Sequence, residues 1–173
     1  MKLTARRIIL INVAISAILV ALLMFYRYEF REGATVDINT VLSVHNEYRY
    51  AQGLGAIAWD ENLALSADAW AKQLASVHHK LIHSRPGENL WQGTAGRYDL
   101  AYMVNSWGAE IKFYRYGIFP DVVKDGSQRW ELVAHFTQML KANRVGCGLA
   151  SDGSWDYFVC HYDKSNMMGE PPY

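Results

Sequence analysis

The sequence contains little proline, little cysteine, no surplus of either charge, no internal repeat and no low-complexity tract. Only four of its 173 residues are proline, while 51% are hydrophobic and 13% aromatic, which is the composition of a folded protein. The 17 basic and 17 acidic side chains cancel, but five of the basic and two of the acidic ones lie in residues 1–32, so the remainder carries 12 basic and 15 acidic ones. Such a mildly acidic domain without a basic stripe is a poor nucleic-acid binder, and nucleic acid is excluded as a partner.

A long uncharged apolar run lies near the N-terminus. Residues 8–26, IILINVAISAILVALLMFY, are nineteen consecutive residues without a charge, and a helix of that length covers roughly 28 Å, enough to cross the hydrocarbon core of a bilayer. Basic residues within 1–7 predict that this first segment stays in the cytoplasm and that the rest is exported. A cleaved signal peptide is the alternative. The run ends in bulky, aromatic and charged residues, which favours an uncleaved signal anchor, followed by a polar stem at 27–36.

The two cysteines become interpretable once export is expected. In an exported domain an even pair indicates one disulfide. Cys147 and Cys160 lie in two strand-like runs that flank the turn sequence SDGS. If Gly153 and Ser154 are the central turn residues, the hairpin register places the two cysteines directly opposite each other, close enough for a disulfide.

Two aspartates precede amphipathic runs and predict where the first two helices begin. Asp37 is expected to cap a helix over 38–52, and Asp60 to cap one over 61–79. Further helices are expected at about 98–115 and 131–141. Helices in the first two-thirds and a hairpin at the end predict an α+β domain in which helices cover an antiparallel sheet.

Six histidines are present, and each taken singly is more typical of a surface or hydrogen-bonded core residue than of a ligand. His45 lies on the apolar face of the first predicted helix, which favours a structural role, and His161 on the last strand has no obvious partner. Two histidines, His83 and His135, are stronger candidates for ligands because each is considered together with a carboxylate. The candidate site consists of these two histidines with Glu88 and Glu110.

Two imidazoles and two carboxylates can hold a divalent ion and leave room for water. These four are scattered through the chain, without the spacing of an H-E-x-x-H helix. For Glu88, which follows a Pro-Gly turn, a loop carboxylate that ties backbone amides together is the alternative.

Six segments, in order and at matching spacing, resemble the CAP superfamily of cysteine-rich secretory, antigen 5 and plant pathogenesis-related 1 proteins, also called the SCP domain. They are HNEYR at 45–49, IHS at 82–84, GENLW at 87–91, WGAEIKFY at 107–114, HFTQML at 135–140, and VGCG at 145–148 with FVCHY at 158–162. The resemblance extends over about residues 37–166 and leaves 167–173 as a C-terminal tail. The chain looks like a bacterial-type single-domain member.

The resemblance implies a three-layer α-β-α sandwich with a central antiparallel sheet. It also implies a cavity with two histidines and two glutamates, which in several members hold zinc or another divalent ion. By motif these are His83, Glu88, Glu110 and His135. It assigns structural roles to His45 and Arg49.

The chain departs from the family pattern at several positions. Ala134 and Lys141 stand where the family motif usually has glycine and tryptophan, and the ending CHYDKSNM lacks the pattern C-N-Y-x-P-x-G-N. Roles tied to that ending are therefore not carried over.

Three functions are compatible with these observations. The first is a non-enzymatic binding module, with a divalent metal in the cavity and grooves for lipid, sterol-like or peptide partners. The second is a metal-dependent peptidase or esterase with Glu88 or Glu110 as general base. The third is a structural or signalling protein of the cell envelope. The binding module ranks first, because catalysis needs a substrate cleft and an open metal position that the sequence does not reveal.

Overall fold

The computed structural model describes residues 15–22 and 35–173. The chain divides into two compact units, residues 1–34 and 35–173, and in the first of them residues 15–22 are helical. Among the described residues, no helix is both long enough and apolar enough to cross a membrane. Most of the predicted membrane segment at 8–26 and of the stem at 27–36 lies outside the described residues, so membrane anchoring stays a prediction.

The first two helices of the domain begin where the aspartate caps predict. Helix α1 runs over Ile38–Ala51, and the Asp37 carboxylate accepts a hydrogen bond from the backbone of Asn39. Helix α2 runs over Glu61–Gln73 and continues as a π-helical turn over Leu74–His78. The Asp60 carboxylate caps it through two backbone N–H groups. Both aspartates satisfy N–H groups that have no partner within the helix.

The later helices are shorter than expected. Helix α3 covers Leu100–Gly108 and is followed by a 3₁₀ turn over Ala109–Phe113. A second 3₁₀ turn, Trp130–Val133, leads into helix α4 over Ala134–Lys141. The predicted helices at 98–115 and 131–141 are thus each divided into an α-helical and a 3₁₀ part.

The sheet has four strands in residues 35–173, in the spatial order β1-β3-β4-β2. They are β1 at Ala58–Trp59, β2 at Glu88–Thr94, β3 at Arg144–Ser151 and β4 at Trp155–Tyr162. Three of them pair antiparallel, but β1 pairs parallel with β3, so the prediction of an antiparallel sheet was wrong for one edge. A strand of two residues is too short to show an alternation of polar and apolar side chains, so β1 could not be predicted from the sequence.

The β3–β4 hairpin has the predicted register. Cys147 lies opposite Cys160, and the two are joined by a disulfide. Both cysteines are buried, on the face of the sheet that contacts α1 and α3. The predicted disulfide is therefore confirmed.

Helices contact both faces of the sheet. Along β4, successive side chains alternate between two apolar clusters. Phe158, Cys160 and Tyr162 pack with α1, α3 and α4, while Tyr157 and Val159 pack with α2. The sheet is thus the middle layer of the domain, and each face is covered by different helices.

Candidate functional site

Glu88 is the first residue of the edge strand β2, and its side chain has no exposed surface. Its Oε1 accepts hydrogen bonds from His83 Nδ1 and from the backbone N–H of Ser84, both at 2.9 Å. Its Oε2 accepts from Ser84 Oγ at 2.8 Å and from His161 Nε2 at 3.0 Å. Four donors therefore occupy the two oxygens of one buried carboxylate.

The hydrogen bonds keep Glu88 ionised. Burial by itself raises the pKa of a carboxyl group, because it disfavours the charged form. The donors His161, His83 and Ser84 together outweigh burial and lower the pKa of Glu88 from 4.5 to about 2. An ionised carboxylate can only accept, so His83 Nδ1 and His161 Nε2 must each carry a hydrogen.

His83 lies next to this carboxylate at the surface, with 61% of its side chain exposed. Because Nδ1 carries the hydrogen, Nε2 of the neutral ring is a lone-pair acceptor. No other residue that the structure describes forms a hydrogen bond with that nitrogen. His83 is therefore held in one tautomer, with its second nitrogen available to a ligand.

A second imidazole–carboxylate pair lies at the beginning of α4. Glu110, in the 3₁₀ turn after α3, accepts a hydrogen bond from His135 Nδ1 at 2.7 Å through Oε1. Its Oε2 accepts from the backbone N–H groups of His135 and Phe136, both at 3.0 Å. Val133, which precedes α4, offers no side-chain cap, so Glu110 supplies the missing acceptor from another element. The Glu110 carboxylate thus holds both the N-terminus of α4 and the ring of His135.

The His135 ring is one-third exposed and stacks on Trp107, with the ring centroids 6.2 Å apart and the planes 18° from parallel. Trp107 in turn stacks on Phe158 of β4 and donates from Nε1 to the backbone carbonyl of Leu90 at 3.1 Å. As for His83, the Nε2 atom of His135 forms no hydrogen bond with the part of the chain that the structure describes.

One residue joins the two pairs. Asn89, directly after Glu88, points to the opposite face of the sheet and donates from Nδ2 to the backbone carbonyl of His135 at 3.1 Å. Glu88 itself faces α2, since its strand partner His161 is bonded to Ser66 of that helix. The two imidazole–carboxylate pairs therefore lie on either side of the first two residues of β2.

The four predicted metal ligands form two separate pairs, His83 with Glu88 and His135 with Glu110. Within residues 15–22 and 35–173, no group of three or more His, Cys, Asp or Glu side chains is arranged to hold a metal ion. The oxygens of both glutamates are already bonded to N–H or O–H donors. Each glutamate therefore has the role of a carboxylate that orients a metal-binding histidine, not that of a direct ligand. The alternative prediction for Glu88 was a carboxylate that binds backbone amides. Its hydrogen bond from the backbone N–H of Ser84 agrees with that prediction as well.

His161 is the residue that the sequence analysis missed. It is buried, bonded to Glu88 through Nε2, and its Nδ1 lies 2.7 Å from Ser66 Oγ, so it has two partners that were not obvious from the sequence. The hairpin register places His161 on the same face as Val159. Nothing local in the sequence shows that β2 pairs with β4 and brings Glu88 opposite.

The two residues expected to be structural are both buried. His45 has no exposed surface and bonds to the backbone of Val41 and to Tyr162 Oη. The Arg49 guanidinium donates to the backbone carbonyls of Gly55, Met139 and Leu140, at 2.8, 3.0 and 2.9 Å. Arg49 thereby satisfies carbonyl groups at the C-terminal end of α4.

An open pocket of about 430 Å³ lies between α1, the beginning of α3 and β3. It is lined mostly by apolar side chains, and two threonines and Asp99 add polar groups at its border. The lining residues include Thr40, Tyr98, Leu100, Met103 and Leu149. Its volume falls in the range of small-molecule sites, but the pocket is largely open to solvent.

Comparisons with known proteins agree with this fold. Residues 42–162 match the sequence model of the family described as "CAP: Cysteine-rich secretory protein family". The chain is 36% identical to pathogenesis-related leaf protein 4 of Solanum lycopersicum, over 76% of this chain and 80% of that protein. It is 32% identical to the cysteine-rich venom protein Mr30 of Conus marmoreus, over 77% of this chain but only 46% of that longer protein.

Among solved structures, the crystal structure described as NaASP2 with Zn²⁺ superimposes with a TM-score of 0.62 at 24% identity, over 78% of this chain and 83% of that one. At that identity the likeness shows the fold. The family match covers more than half of the chain and the tomato relative is more than 30% identical. The chain therefore belongs to the CAP family, the cysteine-rich secretory protein family.

Proposed function

We propose that this chain is an exported, non-enzymatic binding domain that takes one divalent cation, zinc in the first instance, at the Nε2 atoms of His83 and His135. One observation carries the proposal. Each of these imidazoles turns Nδ1 towards a glutamate and leaves Nε2 without a partner in the described part of the chain. This is the usual arrangement of a histidine that binds a metal and is oriented by a carboxylate.

The donor set fits such an ion. Neutral imidazole nitrogens are common zinc ligands, and two of them leave positions for water or a bound ligand. Glu88 and Glu110 act through the histidines, because their own oxygens are already occupied. The bond from Asn89 to the His135 carbonyl ties the second pair to the strand that carries Glu88. The zinc in the NaASP2 structure is a further support.

The same geometry disfavours hydrolysis with Glu88 as general base. A general base needs a pKa near the working pH and contact with the proton that it removes. Glu88 has a pKa of about 2 and no exposed side-chain surface. If the bound ion activates water, the base has to be another group.

We further propose that the apolar pocket between α1 and α3 binds a lipid. Its lining supplies Tyr98, Leu100 and Met103 as apolar contacts. The domain meets this ligand outside the cytoplasm, either anchored through residues 8–26 or released if that segment is cleaved. The buried disulfide and the extracellular character of venom relatives are consistent with that location.

Titration of the full chain with zinc in detergent, monitored by calorimetry, tests the cation site. We expect one zinc per chain, with affinity reduced at least tenfold by His83→Gln and by His135→Gln. His79→Gln is the matched control, because His79 is also exposed and its Nδ1 also faces a carboxylate, that of Asp152 at 3.3 Å. It is expected to leave zinc affinity unchanged.

Three outcomes would overturn the proposal. Two independent zinc sites, or an affinity that neither variant changes, would mean that the histidines do not share one ion. Zinc-dependent turnover of a peptide or ester library by the wild type, lost in Glu110→Gln, would favour the hydrolase.

Organic extraction of the purified chain tests the apolar ligand, and a Met103→Trp variant that still carries the same lipid would argue against the pocket.

A further inference from the structure

Glu88 has a second imidazole partner besides His83, the ring of His161 on β4. The His161 side chain is only 3% exposed. On one side Nε2 donates to Glu88 Oε2, and on the other Nδ1 lies 2.7 Å from Ser66 Oγ on α2. A continuous line of hydrogen bonds thus runs from α2 through His161 and Glu88 to the exposed ring of His83.

The order serine, histidine, carboxylate is also that of a nucleophile with its base, but the packing excludes a substrate there. Gly146 and Gly148 of β3 face α2, and a Cβ on either would collide with the α2 backbone at Ala64 or Asp68. The helix therefore lies directly on the sheet beside Ser66, without space for an acyl group. The line of hydrogen bonds is an internal support.

That support is needed because a carboxylate can rotate. Ser84 binds one Glu88 oxygen through its backbone N–H and the other through its hydroxyl, both from the loop that also carries His83. The donor from outside that loop is His161, which lies on the central strand β4. If His161 is lost, Oε2 keeps only the hydroxyl of a loop residue, in a buried place where an unmade hydrogen bond is costly.

We propose that His161 is a positioning residue of the cation site: it fixes the Glu88 carboxylate to the sheet, and the carboxylate in turn fixes the tautomer and orientation of His83. The expected effect on zinc affinity rests on the proposed function. The second readout, the tautomer of His83, is independent of any metal. Outer carboxylates and their partners typically contribute 10–100-fold to metal affinity.

The test compares His161→Leu with His161→Gln in the full chain. Leucine removes the donor, whereas glutamine carries an amide N–H the same number of bonds from Cβ as the imidazole Nε2. We expect His161→Leu to weaken zinc binding 10–100-fold and His161→Gln to restore it to within about threefold of the wild type. In ¹⁵N NMR spectra at pH 8 without metal, His83 should be the Nδ1–H tautomer in the wild type and a mixture in His161→Leu.

His45→Gln is the control for a general loss of stability. His45 is also a buried, hydrogen-bonded histidine, but it bonds to Val41 and Tyr162 and does not contact Glu88. It should lower stability and leave the His83 tautomer unchanged.

The outcomes separate the two proposals. If the wild type binds no zinc but His161→Leu still releases the His83 tautomer, the cation site fails and the positioning role stands. If zinc binds through His83 and His135 while His161→Leu changes neither affinity nor tautomer, the positioning role fails alone.

Discussion

At the scale of single residues, His45 shows how burial selects one protonation state. The backbone carbonyl of Val41 can only accept, so His45 Nδ1 must donate to it at 2.8 Å. Nε2 then accepts the hydroxyl hydrogen of Tyr162 at 2.9 Å. The neutral ring is fully satisfied, and a second hydrogen would have no acceptor. Burial, reinforced by the charge of Arg49, lowers the pKa of His45 from 6.5 to about 4, although the bond to Val41 acts in the opposite direction.

We predict that His45 makes the fold less stable in mild acid. Between pH 6.5 and pH 4 the unfolded chain takes up a proton at His45 and the folded chain does not, so the free energy of unfolding falls as the pH falls through this window. From pH 7 to pH 5 the loss is about 2 kcal/mol. Urea unfolding at the two pH values measures it, as the stability difference between the wild type and His45→Gln, which should shrink by that amount.

The control for this prediction is a core change that does not titrate. Val44→Ala removes buried apolar atoms from the same helix and should lower stability equally at pH 7 and pH 5. A wild-type advantage over His45→Gln that is the same at both pH values would show that His45 takes up its proton equally in the folded and unfolded states.

At the scale of secondary-structure elements, the close approach of α2 to β3 depends on two glycines. Gly146 and Gly148 flank Cys147, so the disulfide faces α1 and α3 while both glycines face α2. This explains the sequence VGCG. The outer positions of the motif leave space for a helix backbone, and the middle position carries the cross-link.

We predict that Gly148→Ala destabilises the domain by about 3 kcal/mol, at the upper end of overpacking costs, because the obstacle is the backbone of α2 at Asp68 and cannot rotate away. Gly55→Ala is the matched control, since nothing lies within 4 Å of its added Cβ. Its stability should stay within about 0.5 kcal/mol of the wild type. Equal effects of the two substitutions in urea unfolding would show that α2 does not rest on β3 at this point.

Helix α4 is short, and side chains from other elements hold both of its ends. Glu110 accepts from N–H groups of its first turn, and Arg49 donates to carbonyl groups of its last turn. A helix of eight residues is not stable alone, so these contacts and its buried side chains keep it in place. His135 is positioned by this tertiary support of the helix that carries it.

At the scale of the whole molecule, local patterns predicted local structure. The caps at Asp37 and Asp60 and the hairpin register follow from neighbours in sequence, and the structure confirms them. The parallel edge strand β1 and the pairing of β2 with β4 join distant segments, and no local periodicity encodes them. The contact between His161 and Glu88 was missed for the same reason.

Lys141 illustrates a substitution whose partner is also distant. By the resemblance, it stands where the family motif usually has tryptophan. Its Nζ donates to Glu170 Oε2 at 2.8 Å and to the Pro171 carbonyl at 3.1 Å. The segment after β4 is bonded further to the backbone of Phe119. The last residue of α4 is therefore bonded to residues 170 and 171.

The disulfide links the two central strands, and we predict that its loss costs roughly 2–3 kcal/mol of stability. Cys147 and Cys160 are 13 residues apart, so the bond restricts only a short loop of the unfolded chain, and the expected cost follows that length. Urea unfolding with and without reductant measures the effect. The double variant Cys147→Ala, Cys160→Ala should be destabilised to a similar extent and should not respond to reductant.

Because both sulfurs are buried in the central strands, reduction should need opening of the sheet, and the free thiols should appear no faster than the domain unfolds. Rapid reduction under native conditions, without loss of folded structure, would contradict this coupling.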